Sequence, residues 1–253
     1  MAPPLTITIQ SFSDTVCPWS FIGKKNLDKA IDTYKEQHPD VAFVVTWNPF
    51  YLHPEAKISA YNKKDYYTSR FGPTRAAAWY ERVNKGAAAL GLSVNWDGLC
   101  GNTRDSHILL LLAQKLQQQQ EEESDSEMEE GDEYETGANG VHGGRDSLLR
   151  DAQNALFHGA FQSARDISDR RFLVEVALEV GLCASEEEVL EHLDSSEARA
   201  EADGLDRSAK ELLGIAAVPS YVVQGRYRVG GQQEAEVFLQ LFDRIRAAER
   251  GGH

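Results

Sequence analysis

Cysteine is scarce in this chain: three in 253 residues, at Cys17, Cys100 and Cys183. An odd, scattered set excludes a disulfide framework and offers no metal-ligand spacing, and free thiols fit a reducing compartment. His53, His107 and His158 are likewise dispersed and lack the i, i+4 partner of a helical metal site, so no metal is assigned. Basic residues are outnumbered, 26 Lys and Arg against 40 Asp and Glu, and the net charge of −14 argues against nucleic acid or an anionic membrane as partner. No apolar run reaches the length of a membrane span, and Met-Ala-Pro-Pro-Leu has neither a basic n-region nor an apolar h-region. A soluble, cytoplasmic protein is the expectation.

The charge is concentrated. Glu121 to Glu135 contains ten acids and no base. With the glutamines before it and the glycines after it, the stretch Gln117 to Arg145 has too little apolar surface to offset its ordering entropy, and it reads as a disordered loop inserted in the domain. A docking site for a basic partner is the other reading of that loop.

Against these absences stands Cys17-Pro18-Trp19-Ser20. It follows an alternating apolar run (Leu5, Ile7, Ile9) and precedes an amphipathic stretch from Phe21 to about Tyr34, so a strand delivers a cysteine to a helix N-terminus. Unpaired N–H groups and the positive end of the helix dipole favour an anion there, which predicts a thiol of lowered pKa. A thioredoxin-type motif would carry a resolving cysteine three positions on, where this chain has Ser20. A space-filling buried cysteine is the alternative.

The remaining periodicity orders the chain. Val41 to Trp47 predicts a second strand and Ser59 to Leu90 a helical stretch broken at Gly72-Pro73. Helices follow at Arg104–Leu116, Ser147–Ala164, Asp169–Val180, Ser185–Leu193 and Glu197–Leu213. Val218 to Val229, around Gln224-Gly225, predicts a β-hairpin, and Ala235 to Ala248 a closing helix. Tyr61, Tyr66, Tyr67, Phe71, Trp79 and Tyr80 are read first as helix packing and second as the wall of a pocket. The result is an α/β protein, a thioredoxin-like core interrupted by an all-helical insertion domain: residues 1–58 and 214–253 form the core, and residues 59–213 the insertion with its acidic loop at about 117–145.

Four stretches together carry a resemblance: Ser13 to Gly23 around Cys-Pro-Trp-Ser, Trp47-Asn48-Pro49-Phe50, Phe161 to Asp169 with Gly181-Leu182, and Val218-Pro219-Ser220-Tyr221-Val222-Val223. They resemble the DsbA-like thioredoxin superfamily, and within it the FrnE-type branch, which groups with 2-hydroxychromene-2-carboxylate isomerases and kappa-class glutathione transferases. The resemblance implies a cis-proline loop beside the reactive position, with Pro219 as that proline and Val218 offering backbone groups to an extended thiol substrate. An ordinary trans proline opening an edge strand is the alternative. Asn102, at a helix start, is implied to face the site or simply to cap that helix, and Gly231 either lets backbone approach glutathione or makes a plain turn. Cys100 is weighed as a distant resolving thiol and as a bland loop residue. FrnE-like oxidoreductases resemble this chain in the first cysteine of the motif, whereas a serine in the motif resembles the isomerases and transferases.

The catalytic candidates are therefore Cys17 as nucleophile and Ser20 as its hydrogen-bond donor, with Trp19, Val218, Pro219, Asn102 and Gly231 for substrate binding. The expected function is a monothiol, glutathione-linked thiol-disulfide oxidoreductase. A glutathione-dependent isomerase or transferase acting on a hydrophobic aromatic compound, and a redox-inactive binding module, are the alternatives. No cofactor is expected to be tightly bound; glutathione would be co-substrate, glutathione or protein thiols the partners, and a homodimer is compatible with the sequence.

Overall fold

In the computed structural model, the described residues are 5–57, 61–130 and 148–251. The alternating run becomes strand β1 (Leu5–Ser13), and helix α1 (Pro18–Gln37) begins one turn later. Cys17 is extended, φ −90° and ψ 113°, and Pro18 at the first helical position fixes the entry. Strand β2 (Val41–Pro49) returns parallel to β1, from Leu5 opposite Val41 to Ser13 opposite Pro49.

The second half of the core follows far along the chain. Strand β5 (Ser220–Val223) pairs antiparallel with β1 and β6 (Tyr227–Gly230) antiparallel with β5, giving the order β2-β1-β5-β6. Gln224 and Gly225 both adopt positive φ, 52° and 66°, as the central residues of a turn closed by the Arg226 N–H donating to Val223 O at 3.2 Å, and Arg226 completes the loop before Tyr227 pairs with Val223. On one face of the sheet Ile7, Ile9, Phe43, Tyr221 and Val223 pack against Leu27 and Tyr34 of α1 and against Phe238 and Phe242 of helix α9 (Ala235–Gly251). The other face carries Phe12 and Val222, which meet Phe50, Ala209 and Ile215.

Between β2 and β5 the regular structure of the described residues is helical apart from a two-residue ribbon, β3 (Tyr61–Asn62) paired with β4 (Leu99–Cys100), which sequence periodicity did not predict. Its helices are α2 (Lys63–Phe71), α3 (Pro73–Ala88), α4 (Arg104–Glu130), α5 (Leu148–Phe161), α6 (Arg170–Glu179), α7 (Glu186–Asp194) and α8 (Ser196–Glu211). Their core, built on Leu109, Phe157, Phe161 and Leu173, also takes in Phe21 of α1 and Trp47 of β2, so one apolar cluster runs across the boundary between insertion and sheet. Gly159 permits this packing, because a Cβ there would lie 2.1 Å from the Phe172 ring.

The expected disordered stretch is corrected in part. Helix α4 continues to Glu130, so residues 117–130 are helical, as their glutamate- and glutamine-rich composition locally favours. Gln117 also anchors it, its Oε1 accepting from the Leu149 N–H at 3.3 Å and its Nε2 donating to Glu121 at 3.1 Å. Residues 131–145 of the expected loop lie outside the described residues.

Candidate thiol site at the start of helix α1

Cys17 sits where three segments meet: the β1–α1 turn, the segment before β5, and the aromatic wall of the insertion. The turn is held from within, Cys17 N–H donating to Asp14 O at 2.9 Å and Ser20 N–H to Cys17 O at 3.0 Å. The Val218–Pro219 peptide is cis, as the resemblance implied, and Cys17 Sγ donates to Val218 O at 3.7 Å. Gly23 brings α1 against that loop, since a Cβ there would lie 2.9 Å from Pro219 Cγ and 2.6 Å from Tyr221 Oη.

The thiol opens onto a cavity of about 250 Å³. Cys17, Trp19, Leu52, His53 and Val218 line it together with Tyr66, Tyr67, Arg70, Phe71 and Trp79 from α2 and α3. The aromatics are packing and pocket wall at once: Tyr67 and Trp79 are core residues with ring centroids 4.7 Å apart, and they face the cavity too. Tyr67 Oη donates to Val16 O, fixing the wall to the turn that carries Cys17. Trp19 bridges the clusters on the two sides of the cavity, with its ring edge approaching Gly86 of α3.

Electrostatics overturn one expectation. Burial, with Cys17 only 5% exposed, pushes its thiol up to about 11 rather than down. Hydrogen bonds from the Ser20 N–H and hydroxyl and from the Trp19 N–H favour the thiolate, while the nearby Asp14 carboxylate opposes it. Desolvation wins because the sulfur is closed over by Val218 and the aromatic wall, so the helix N-terminus only tempers the shift. At rest Cys17 is a protonated thiol directed at a backbone carbonyl.

Beneath it lies a polar knot that sequence reasoning missed. Asp14, fully buried, accepts from the Leu52 N–H at 2.7 Å and the Val16 N–H at 3.3 Å, and its backbone N–H reaches Ser20 Oγ at 3.4 Å. His107 of α4, also fully buried, lies with Nε2 3.4 Å from Asp14 Oδ1. The Trp47 indole, which can only donate, reaches His107 Nδ1 at 3.1 Å, so the imidazole carries its proton on Nε2 and donates it to Asp14. Asp14 thus joins the thiol turn, the loop after β2 and the insertion. The signal available in the sequence was the placement of a carboxylate three residues before the cysteine.

Not every sequence-predicted residue converges. Cys17, Trp19 and Val218 share the cavity, Ser20 supports the sulfur from behind, and Pro219 is wedged against α1. Asn102 lies elsewhere and acts as a staple: Nδ2 donates to Ala56 O at 3.0 Å and Pro54 O at 3.3 Å, while Oδ1 accepts from the Arg104 N–H at 2.9 Å. Gly231, with φ 74°, donates its N–H to Pro219 O at 2.8 Å and so backs the proline loop from the sheet side. Cys100 is buried in the insertion core and does not line the Cys17 cavity, and Cys183 is partly buried on the rim of that same core. Among the described residues, no group of three or more His, Cys, Asp or Glu could hold a metal ion, and no helix is long and apolar enough to cross a membrane.

The chain is similar to known proteins. A Bacillus subtilis protein called YwbO, itself uncharacterized, is 26% identical over 235 residues, spanning 92% of this chain and 94% of its own. The crystal structure of a probable DsbA oxidoreductase from Streptomyces coelicolor superposes with a TM-score of 0.71 at 26% identity, covering 93% of this chain and 88% of that one. A cytosolic disulfide reductase, DsbM, from Pseudomonas aeruginosa, solved with GSH, shares the fold at a TM-score of 0.56 and 15% identity, covering 96% and 98%. The family description matching residues 8–126 and 141–243 takes in both halves of the thioredoxin-like core and most of the helical insertion, and on that match the chain belongs to the DSBA-like thioredoxin domain family.

Proposed function

We propose that this protein is a monothiol, glutathione-linked thiol-disulfide oxidoreductase of the cytoplasm. The observation that carries the reading is the placement of a single cysteine at a helix N-terminus, 3.7 Å from Val218 O and open to a cavity, with Ser20 where a resolving thiol would stand. An extended peptide-like substrate lying along Val218 would give that carbonyl an N–H donor of its own and displace the Cys17 S–H from it. Once ionised, Cys17 attacks the glutathione sulfur of a mixed disulfide R–S–S–G. The Cys17–S–S–G bond forms, the original S–S bond breaks, and R–S⁻ leaves and takes up the proton that Cys17 lost. A second glutathione thiolate then attacks the adduct, releasing glutathione disulfide and restoring Cys17. Ser20 donates to the sulfur in its anionic form.

The test is intact mass after exposure to glutathione disulfide, with Cys100 and Cys183 replaced by alanine. A single adduct, removed by glutathione and abolished in Cys17→Ser, is expected. A folded protein that forms no adduct removes the proposal. A second reading, a glutathione-dependent isomerase or transferase for an aromatic compound, is favoured by the aromatic cavity wall beside a thiol whose pKa burial raises. It predicts saturable glutathione binding without any covalent adduct.

A further inference from the structure

The residues lining the Cys17 cavity include one fixed charge, Arg70 in the last turn of α2, and no Asp, Glu or Lys. Its guanidinium is exposed at the mouth and 5.7 Å from the Phe71 ring. Its hydrogen bond runs to Nδ1 of His53, another residue of the cavity lining, at 3.0 Å. Burial and the adjacent guanidinium both hold the His53 pKa below its usual value, so the ring is a neutral acceptor that orients Arg70 without cancelling its charge. Among the described residues no carboxylate lies within ion-pair distance of Arg70. Eight other described arginines behave differently: Arg104, Arg150, Arg165, Arg170, Arg171, Arg199, Arg246 and Arg250 all have acidic partners. Interaction with the α2 C-terminal dipole would account for a basic residue there, but that role would direct the guanidinium to the terminal carbonyls rather than to His53 in the loop after β2.

We infer that the cavity selects a carboxylate-bearing thiol or disulfide, whose carboxylate pairs with Arg70 at the mouth while its body lies along the Trp19, Phe71 and Trp79 wall and its sulfur reaches Cys17. The inference rests on the thiol reading above and names the substrate class of that same site. Arg70 presents a planar fork with donors to spare beyond the one held by His53, which suits a carboxylate better than a point charge would. The partly exposed setting limits the effect to several-fold, as expected for a rim ion pair.

The experiment compares two aromatic disulfides, each rate taken as a ratio of variant to parent so that their difference in size cancels, with Cys100 and Cys183 replaced by alanine: 5,5′-dithiobis(2-nitrobenzoate), with a carboxylate on each ring, and neutral 2,2′-dipyridyl disulfide. Arg70→Gln should slow the carboxylate reagent about fivefold and leave the neutral one within twofold; Arg70→Lys should fall between, and added salt should shrink the difference. In parallel, S-methylglutathione and its diethyl ester are titrated into Cys17→Ser by tryptophan fluorescence, with and without Arg70→Gln, which reads carboxylate recognition where no thiol chemistry can occur. Equal effects on both disulfides, or ester and acid binding alike, overturn the inference. Arg70-dependent binding of the acid alongside a Cys17 inert to both disulfides upholds it and overturns the thiol reading alone.

Discussion

Ionising Cys17 tests the balance of forces at the site directly. The thiol is buried, with Cys17 only 5% exposed, and burial moves its pKa from an ordinary 9.0 to about 11 against the pull of three hydrogen-bond donors. Two units correspond to about a hundredfold less thiolate at neutral pH, so alkylation by iodoacetamide should be slow at pH 7 and rise about tenfold per pH unit, without a plateau until about pH 11. The same shift is a stability statement. The folded state holds the proton more tightly than the unfolded chain, so the contribution is fully present below pH 9 and is lost as pH rises through 11, amounting to about 3 kcal/mol. Urea unfolding of wild type and Cys17→Ala across pH 8–11 isolates it, because the buried tyrosines that also titrate there are common to both. The difference in stability between the two proteins should shift by about 2 kcal/mol over this window, with wild type losing more. An alkylation plateau below pH 9, or parallel stability curves, would refute the claim that desolvation outweighs the helix N-terminus.

The other predictions follow from the same contacts. Ser20→Ala removes a donor to the sulfur and should raise the alkylation midpoint further, whereas Ser20→Cys should allow a reversible disulfide between Cys17 and the introduced thiol, detectable as a two-dalton loss of mass. Asp14→Asn removes the opposing charge and should lower the Cys17 midpoint, while weakening the Leu52 and His107 links and costing about 2 kcal/mol; a midpoint that rises instead contradicts the placement of that charge. Gly23→Ala forces Pro219 and Tyr221 away from α1, which should cost about 1–3 kcal/mol in urea unfolding and slow Cys17 modification at fixed pH. Gly159→Ala, whose Cβ would collide with the Phe172 ring, should lower Tm by destabilising the insertion while leaving the Cys17 alkylation midpoint in place.

The sequence by itself determined the elements whose signal is local. Alternation in β1, Pro18 just inside α1 and Gln224-Gly225 at the hairpin each encode their geometry within a few residues, so the thioredoxin-like order and the cysteine at a helix start were legible. The end of α4 was less so: charge density argued for disorder, but helix propensity and the Gln117 anchor to α5 carry the helix to Glu130. Only the tertiary structure decided the character of the site. The Cys17 pKa depends on how completely Val218 and the insertion exclude water, and no local pattern reports that burial. Pairing Asp14 with His107 spans 93 positions, and bringing Arg70 to the mouth beside His53 requires the loop after β2 to meet α2. Asn102 and Gly231, attractive as polar or glycine positions in sequence, are scaffold because the hydrogen bonds that use them run to neighbouring loops. Helix and strand formation follow from short-range backbone preference, whereas desolvation and charge pairing at a thiol arise from residues brought together by packing, and that difference sets where sequence reading ends.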